Sequence, residues 1–442
     1  MSHEVVELLQ TLIRNQCVND GTVGSGHEYR SVATLRDFLG TEGEVFEPEP
    51  GRQSLIIRVP GTDPAAPSLA LVPHLDVVPV DRSGWTHDPF AADIVDGFVY
   101  GRGAVDMLNV TAAMAVAAKP YLTGEKRPRG DLLFAAVADE EAGGRYGALQ
   151  LVEQRWEDVK ADYLLTEVAY PPISYASQEA IPVATGEKGV FWTILRATGT
   201  PGHGSTPYRS NNALIKMVEA VRGIADQPMP VAITEEWRRL VETLDLPENL
   251  KESLVDKDRV DEAIDILAIT DPLFARYVHA VTHLTISPNM LNAGMKANVI
   301  ADAATASVDV RALPGMDRGF IDSHLYKAMG NARDDVDLDP YLDLEATISP
   351  TGDNPLWEAI ADSVEALEGH RNLLPALMTV GTDARFWRVR GTVAYGVGLF
   401  DDRMDFSEML SLFHGHDERV SVESVVRTTT LYHEVLERFN AP

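Results

Sequence analysis

The sequence predicts an α/β protein: a mostly parallel sheet with helices on both faces, interrupted by a smaller α+β domain. Three observations predict it. Short apolar runs of β type alternate with stretches of helical spacing up to about residue 185. A separate β-α-β rhythm follows, and the first rhythm returns from Asn354. Side chains able to bind metal stand in both outer portions, so one site built from them requires a domain that the middle piece interrupts. The boundaries are 1–186 and 350–442 for the interrupted domain and 187–349 for the inserted one.

Each element follows from local pattern. Residues 5–14 and 28–39 carry apolar side chains at helical spacing. Residues 54–59 and 68–72 are β-like runs stopped by Pro and Gly. An Ala-rich helix is expected over 111–118, a buried strand over 131–138, a helix over 147–154 and a strand over 163–166. In the middle portion, the β-like run 190–197 leads into GTPGHGSTP, and a helix follows over 212–224. A polar, acidic, helix-prone stretch begins at 227 and reads as an insertion reaching about 282, which enlarges the inserted domain. Strand character returns at 299–311, a helix spans 318–329, and 342–348 is β-like. The last portion reads as helix 356–367, strands 376–380 and 393–397, and a closing helix over 420–439.

Composition removes several functions. The net charge of −29 argues against nucleic acid or an anionic membrane surface as partner, since both would repel it. Cys17 is the one cysteine, so no disulfide forms within the chain, as expected of a reducing cytoplasm. The amphipathic, acidic start MSHEVVELLQTLIR lacks the basic end and apolar core of a secretory signal. No run reaches the ~18 apolar residues of a membrane span. The longest, 110–118, is broken by Lys119-Pro120.

Five segments carry candidate ligands: His74 and Asp76 in PHLDVVP, Asp106 in GRGAVDM, Glu140 and Glu141 in VADEEAGG, Glu167 in LLTEVAY, and His414 in FHGHDER. Strand ends and Gly-flanked turns are where reactive groups converge in α/β proteins. Imidazole and carboxylate without thiolate suit hydrolytic Zn²⁺, Co²⁺ or Mn²⁺. His74 and Asp76 point to one side of an extended chain, so the carboxylate can hold the unbound ring nitrogen; the pair alone also suits an ordinary turn. Asp106 can bridge two metals or cap the helix that follows. Glu140-Glu141, after an apolar run, needs a compensating cation unless it opens a helix. One would ligate a metal and the other take a proton from water. Glu167 suits a metal or a solvated loop. His414 and His416 compete for one role, and Asp417 or Glu418 suits the cap of the closing helix.

In order, HLDVVP, GRGAVDM, DEE, the Glu after LLT, PGHGSTP, NVIAD, VRALPG, GTDAR and FHGHDER resemble the co-catalytic di-zinc amidohydrolases and exopeptidases. That family includes aminoacylase, acetylornithine deacetylase, succinyl-diaminopimelate desuccinylase and glutamate carboxypeptidase. The resemblance runs from the first helix to the last. It implies that His74 and Glu167 hold one metal, that Glu141 and His414 hold the other, and that Asp106 bridges them. It makes Asp76 the orienter of His74 and Glu140 the general base. It implies that His203, in PGHGSTP, reaches into the site of a partner subunit, in a homodimer formed through the inserted lid/dimerisation domain. Arg311 with Asn298 would recognise the substrate carboxylate, and Gly381 and Thr382 would form a loop at the mouth of the site. A cis peptide after Asp106 is also implied. Pro73 stands where many members have Gly, and Leu108 where many have Lys; neither replaces a ligand.

The expected protein is a two-metal hydrolase, zinc-type with cobalt or manganese as alternatives, that cleaves an amide or peptide bond next to a free carboxylate. Its substrates would be small peptides, as for a dipeptidase or carboxypeptidase, or N-acyl amino acids. A dedicated deacylase of a biosynthetic intermediate is the alternative, and a non-catalytic binding protein on the same fold a third reading. GxSxG, HExxH and GxxxxGKS/T are absent. GRGAVD puts Asp106 where a dinucleotide loop needs its third glycine.

Overall fold

The computed structural model describes residues 2–167, 170–172 and 180–441. The strand order of the larger sheet is Glu44–Phe46, Ser54–Val59, Leu132–Ala136, Leu69–Leu71, Tyr163–Thr166, Val393–Gly396, Ile181–Glu187 and Thr347–Ile348, with Leu373–Met378 also paired to Ile181–Glu187. Its centre is parallel, with antiparallel pairs towards the edges. The central strands are buried along their whole length, as the continuous apolar runs require. Helices Ser2–Arg14, Leu108–Leu122, Pro355–Glu368 and Val422–Phe439 share a core on one face. Helices Gln150–Val159 and Ala384–Arg388 cover the other. Among the described residues no helix is long and apolar enough to cross a membrane.

Helix Leu108–Leu122 passes through Pro120, so it extends beyond the expected stretch 111–118 at both ends. The helix is buried nearly all round, and packing from both sides outweighs one weak position in its last turn.

The second sheet is antiparallel, in the order Thr285–Ala293, Ala303–Ala312, Gly189–Thr198, Val336–Leu344. Helices Ala213–Asp226 and Arg318–Met329 cover one face of it. Strand Thr285–Ala293 was not legible as β: Pro288 and three Asn-type or Met positions give it no alternation, and a bulge interrupts its register. The chain crosses between the sheets at Lys188 and again between Leu344 and Thr347.

Helices Glu235–Thr243, Glu248–Leu254, Val260–Thr270 and Pro272–Thr282 occupy the stretch read as an insertion. Expected to enlarge the lid, they pack instead on the catalytic sheet. Trp237, Phe274, Tyr277 and Val278 share a core with Leu374, Met378 and Phe406. The covered face of the lid sheet already carries its two helices, so the apolar stripe of Trp237, Leu240 and Val241 is buried elsewhere. Phe406 lies at the centre, with its ring 5.3 Å from both Tyr170 and Tyr277. Phe406→Ala should cost about 3–5 kcal/mol. The measurement is the denaturant midpoint, and an unchanged midpoint would show that the insertion is not docked there.

Candidate metal centre

Three neighbouring strands deliver most of the site. Leu69–Leu71 lies between Leu132–Ala136 and Tyr163–Thr166, parallel to both. Their carboxyl ends open on one edge, where His74, Glu140-Glu141 and Glu167 follow. Asp106 comes from the turn before helix Leu108–Leu122, and its bond to Met107 is cis, as the resemblance implies. His414 follows helix Phe406–Leu412 in a left-handed conformation, φ 57°. Strand Arg419–Ser421 pairs with Phe98–Tyr100 and so draws that turn against the Asp106 loop.

The ligand atoms form two sets that share Asp106. His74 Nε2 lies 3.3 Å from Asp106 Oδ1 and 3.5 Å from Glu167 Oε2. His414 Nε2 lies 3.2 Å from both Asp106 Oδ2 and Glu141 Oε2. Each oxygen of Asp106 thus faces one imidazole, as a bridging carboxylate requires. Glu141 Oε1 and Glu167 Oε1 are buried without a hydrogen-bond partner. Buried acceptors left unpaired are costly, and a divalent cation satisfies them. The residues present therefore fit two metal ions. His416 is held away: a Cβ at Gly84 would lie 2.4 Å from its ring.

A second layer of side chains sets these groups in place. His74 Nδ1 lies 3.0 Å from the Asp76 carbonyl oxygen and 3.6 Å from its carboxylate. That carboxylate also accepts from the backbone N–H of Glu140 and Glu141, at 3.2 and 3.1 Å, and from Asn19 at 2.8 Å. Asp76 therefore fixes the imidazole and the acidic turn together. Glu418 is not the helix cap that its position suggested; Ser421 is. Glu418 is fully buried, pairs with Arg102 at 2.7 Å, and accepts from the backbone N–H of Val105 and Asp106 at 2.8 and 3.1 Å. It anchors the loop that carries the shared carboxylate.

The metal-free cluster is electrostatically divided. Burial alone would lower His414, yet Asp106 and Glu141 push it up to about 10. Burial would likewise lower His74, but Glu167, Asp106 and Asp76 hold it well above the usual imidazole range. Burial opposes ionisation of Asp106, and the two histidines outweigh it, leaving its carboxyl well below the usual range. Burial, then the charge of Asp106, pushes Glu141 up to about 7. Burial and Glu167 push Glu140 well above the ordinary value.

A recess of about 120 Å³ opens over these groups and is lined also by Arg311, Gly381 and Thr382. Arg311 Nε and Nη2 bind Asp309, at 2.8 and 3.3 Å. Asn298 is not among the lining residues; its carbonyl accepts from Gly204 N–H at 2.8 Å, beside His203. His203 is exposed, with Nδ1 2.7 Å from Ser205 Oγ, and also stands outside the recess. Sequence reasoning gave no role to Asp383 and Arg385, which line the recess, or to Glu187, which holds Arg385 and Arg388 from below. A Cβ at Gly381 would sit 2.1 Å from Arg385 Nη2, which explains that glycine. The adjacent charges Glu187-Lys188 between two apolar runs were the available signal.

Two imidazoles and two glutamates gathered around one shared carboxylate define a metal-binding hydrolase. A model of peptidase family M20/M25/M40 matches residues 70–438, and the chain belongs to that family. Human aminoacylase-1 is 29% identical over 408 residues, covering 90% of this chain and 86% of the relative. Sso-CP2, an M20 family metallo-carboxypeptidase from Sulfolobus solfataricus, has a crystal structure that aligns with a TM-score of 0.74 at 18% identity, covering 99% of this chain and 98% of that one. Human carnosine dipeptidase 1 aligns with a TM-score of 0.69 at 17% identity, covering 99% and 96%. The protein is a hydrolase of amide or peptide bonds.

The shifts fix how pH acts on the metal-free protein. The raised histidines contribute stability below ~6.5, lost as pH rises through the folded value. The raised glutamates cost stability once pH passes ~4.3. Both trends destabilise the chelated protein as pH rises, and bound cations reverse them. The Tm gap between metal-loaded and chelated protein should widen between about pH 6 and pH 9. Metal uptake at neutral pH should release protons, read by calorimetry in buffers of different ionisation enthalpy. A gap independent of pH would contradict this account.

Proposed function

We propose that the protein is a homodimeric, two-metal exopeptidase or deacylase of the cytoplasm, acting on small peptides or N-acyl amino acids next to a free carboxylate. The observation that carries this is the sharing of Asp106 by two ligand sets, with Glu140 beside them in the same recess. His74, Asp106 and Glu167 would hold one cation, and Asp106, Glu141 and His414 the other. Two divalent cations, zinc-type, supply a Lewis acid for the scissile carbonyl and lower the pKa of water. Glu140 takes the proton from the attacking water and returns it to the departing amine. Arg311, with Nη1 outside its pair to Asp309, receives the carboxylate of the departing amino acid at the Gly381–Thr382 loop.

The inserted domain would pair two subunits. Its edge strand Thr285–Ala293 bonds to one neighbour only and exposes Met290 and Leu291, with Met295 beyond it. The position of His203 outside its own recess supports delivery across that interface, where it would stabilise the developing oxyanion. The single cysteine, Cys17, is a buried free thiol, in keeping with the compartment.

Glu140→Gln should retain both metals and lose turnover, by about 10²–10⁴-fold, whereas Glu141→Gln should lower metal content itself. Elemental analysis and kcat on one substrate panel decide it; wild-type kcat in Glu140→Gln would remove the assigned base. Sharing in trans predicts complementation. Mixed His203→Ala and Glu140→Gln chains should regain activity, because a heterodimer holds one intact site. No recovery, despite demonstrated subunit exchange, would rule it out.

A further inference from the structure

Beside the metal recess lies a second, larger chamber of about 670 Å³, within the ~300–1,000 Å³ that bound small molecules occupy. Glu141, Gly143, Trp192, Leu342 and Leu344 line both spaces, so the chamber adjoins the metal recess. Val78, Tyr146 and Leu149 wall it from the catalytic domain, and Tyr341 from the lid sheet. Gly143 lies where the two meet: a Cβ there would already be 3.7 Å from Leu342 on the facing wall. The Trp192 and Tyr341 rings meet at 5.9 Å.

Most charged groups at the chamber are already engaged, and the Arg145 guanidinium lies over the Tyr146 ring, 5.4 Å from its centre. Arg52 is buried between Glu28, at 2.8 Å, and Asp139, at 3.6 Å. Asp20 accepts from the backbone N–H and hydroxyl of Thr22, at 2.9 and 2.6 Å. Besides Arg145, what remains to meet a ligand is chiefly aromatic and aliphatic wall.

Position tells which end of a substrate would enter. Arg311 lines the recess and does not line the chamber. Trp192 lines both, and its indole N–H donates to Asp309, at 3.1 Å, the same carboxylate that holds Arg311. With the substrate carboxylate at Arg311 and the scissile carbonyl at the metal ligands, the chamber lies on the acyl side. This step rests on the function proposed above. We propose that the chamber is a binding subsite for a large apolar group attached to the scissile carbonyl. The group is a long acyl chain or the bulky apolar side chain of an N-terminal residue, and the enzyme prefers substrates that carry one.

Binding to the zinc-loaded Glu140→Gln protein tests the chamber without relying on turnover. Calorimetric Kd values would be measured for N-acetyl-, N-hexanoyl- and N-decanoyl-leucine, and for Ala-Leu and Phe-Leu. Each methylene moved from water to an apolar wall tightens binding, so the hexanoyl compound should bind at least about tenfold more tightly than the acetyl compound. In the same background, Tyr341→Ala, which removes one wall, and Val78→Trp, which fills the space, should each erase most of that gain. Both should leave N-acetyl-leucine within about twofold. A gain confined to the acyl series identifies the chain as occupant, and a gain confined to Phe-Leu over Ala-Leu identifies the side chain. Equal Kd values in both series, no binding of any compound, or a gain that survives both substitutions would overturn the proposal. Wild-type turnover of the same compounds is read separately. A chain-length gain in binding with no hydrolysis by the wild type would leave the chamber standing and sink the proposed reaction.

Discussion

Asp106 faces His74 with one oxygen and His414 with the other, and the rest of the structure keeps both contacts possible. The two histidines lie 340 residues apart in sequence, since 414 − 74 = 340. Bringing them together fixes the topology. The strand that carries His74 must be central, and the segment that carries His414 must return to the same edge after the lid is complete. Strand pairing between Arg419–Ser421 and Phe98–Tyr100 makes that return, and buried Glu418 joins it to the backbone of the Asp106 loop. Burying so many carboxylates without a cation would be untenable, because each loses its hydration and repels its neighbours. The site is thus stable in proportion to the positive charge it holds.

Much of this was legible in the sequence because the ligands follow strands. His74, the Glu140-Glu141 pair and Glu167 each end an apolar run, and three such runs in a parallel sheet must converge. Side-chain periodicity carried the helices equally well, from Tyr29–Leu39 to Val422–Phe439. What was illegible depends on contacts between distant segments. Glu418 looked like a cap because a local reading sees only the helix ahead, not Arg102 and Asp106 far behind it in the chain. The choice between His414 and His416 rested on the space left by Gly84, which no spacing rule contains. The helices from Glu235 to Thr282 advertised an apolar stripe, but not which surface would receive it.

The crossing between the two sheets couples lid to site. Glu187 and Lys188 sit where the chain leaves one sheet for the other, and both are fully buried. Glu187 holds Arg388 at 3.0 Å and Arg385 at 3.5 Å, and so supports the floor under Gly381 and Thr382. Lys188 donates to the carbonyls of Ala280 and His283, both at 2.8 Å, at the end of helix Pro272–Thr282. Burial, with Arg311 nearby, brings its ammonium down to about 7. Carbonyls at a helix C-terminus are a favourable place for such a cation. The same ammonium donates to Thr285 Oγ1 at 3.1 Å, so the end of the insertion is tied to the crossing between the two sheets.

The same geometry makes the lid a ruler. Trp192 and Asp309 are register partners on strands Gly189–Thr198 and Ala303–Ala312, and Arg311 lies on the second of these strands. The aromatic wall and the guanidinium are therefore held in fixed relation by paired strands and by their shared partner Asp309. The candidate metal ligands belong to the other domain, so in the proposed reaction the lid's position would set the distance between the scissile carbonyl and both recognition features. Under the function and subsite proposed above, a substrate that satisfies Arg311 and the apolar wall together would hold the lid at a single position, whereas one that satisfies only the guanidinium would leave it free to settle at several. Binding energy from groups remote from the reacting bond would thereby be converted into placement of that bond over Glu140, the base proposed above.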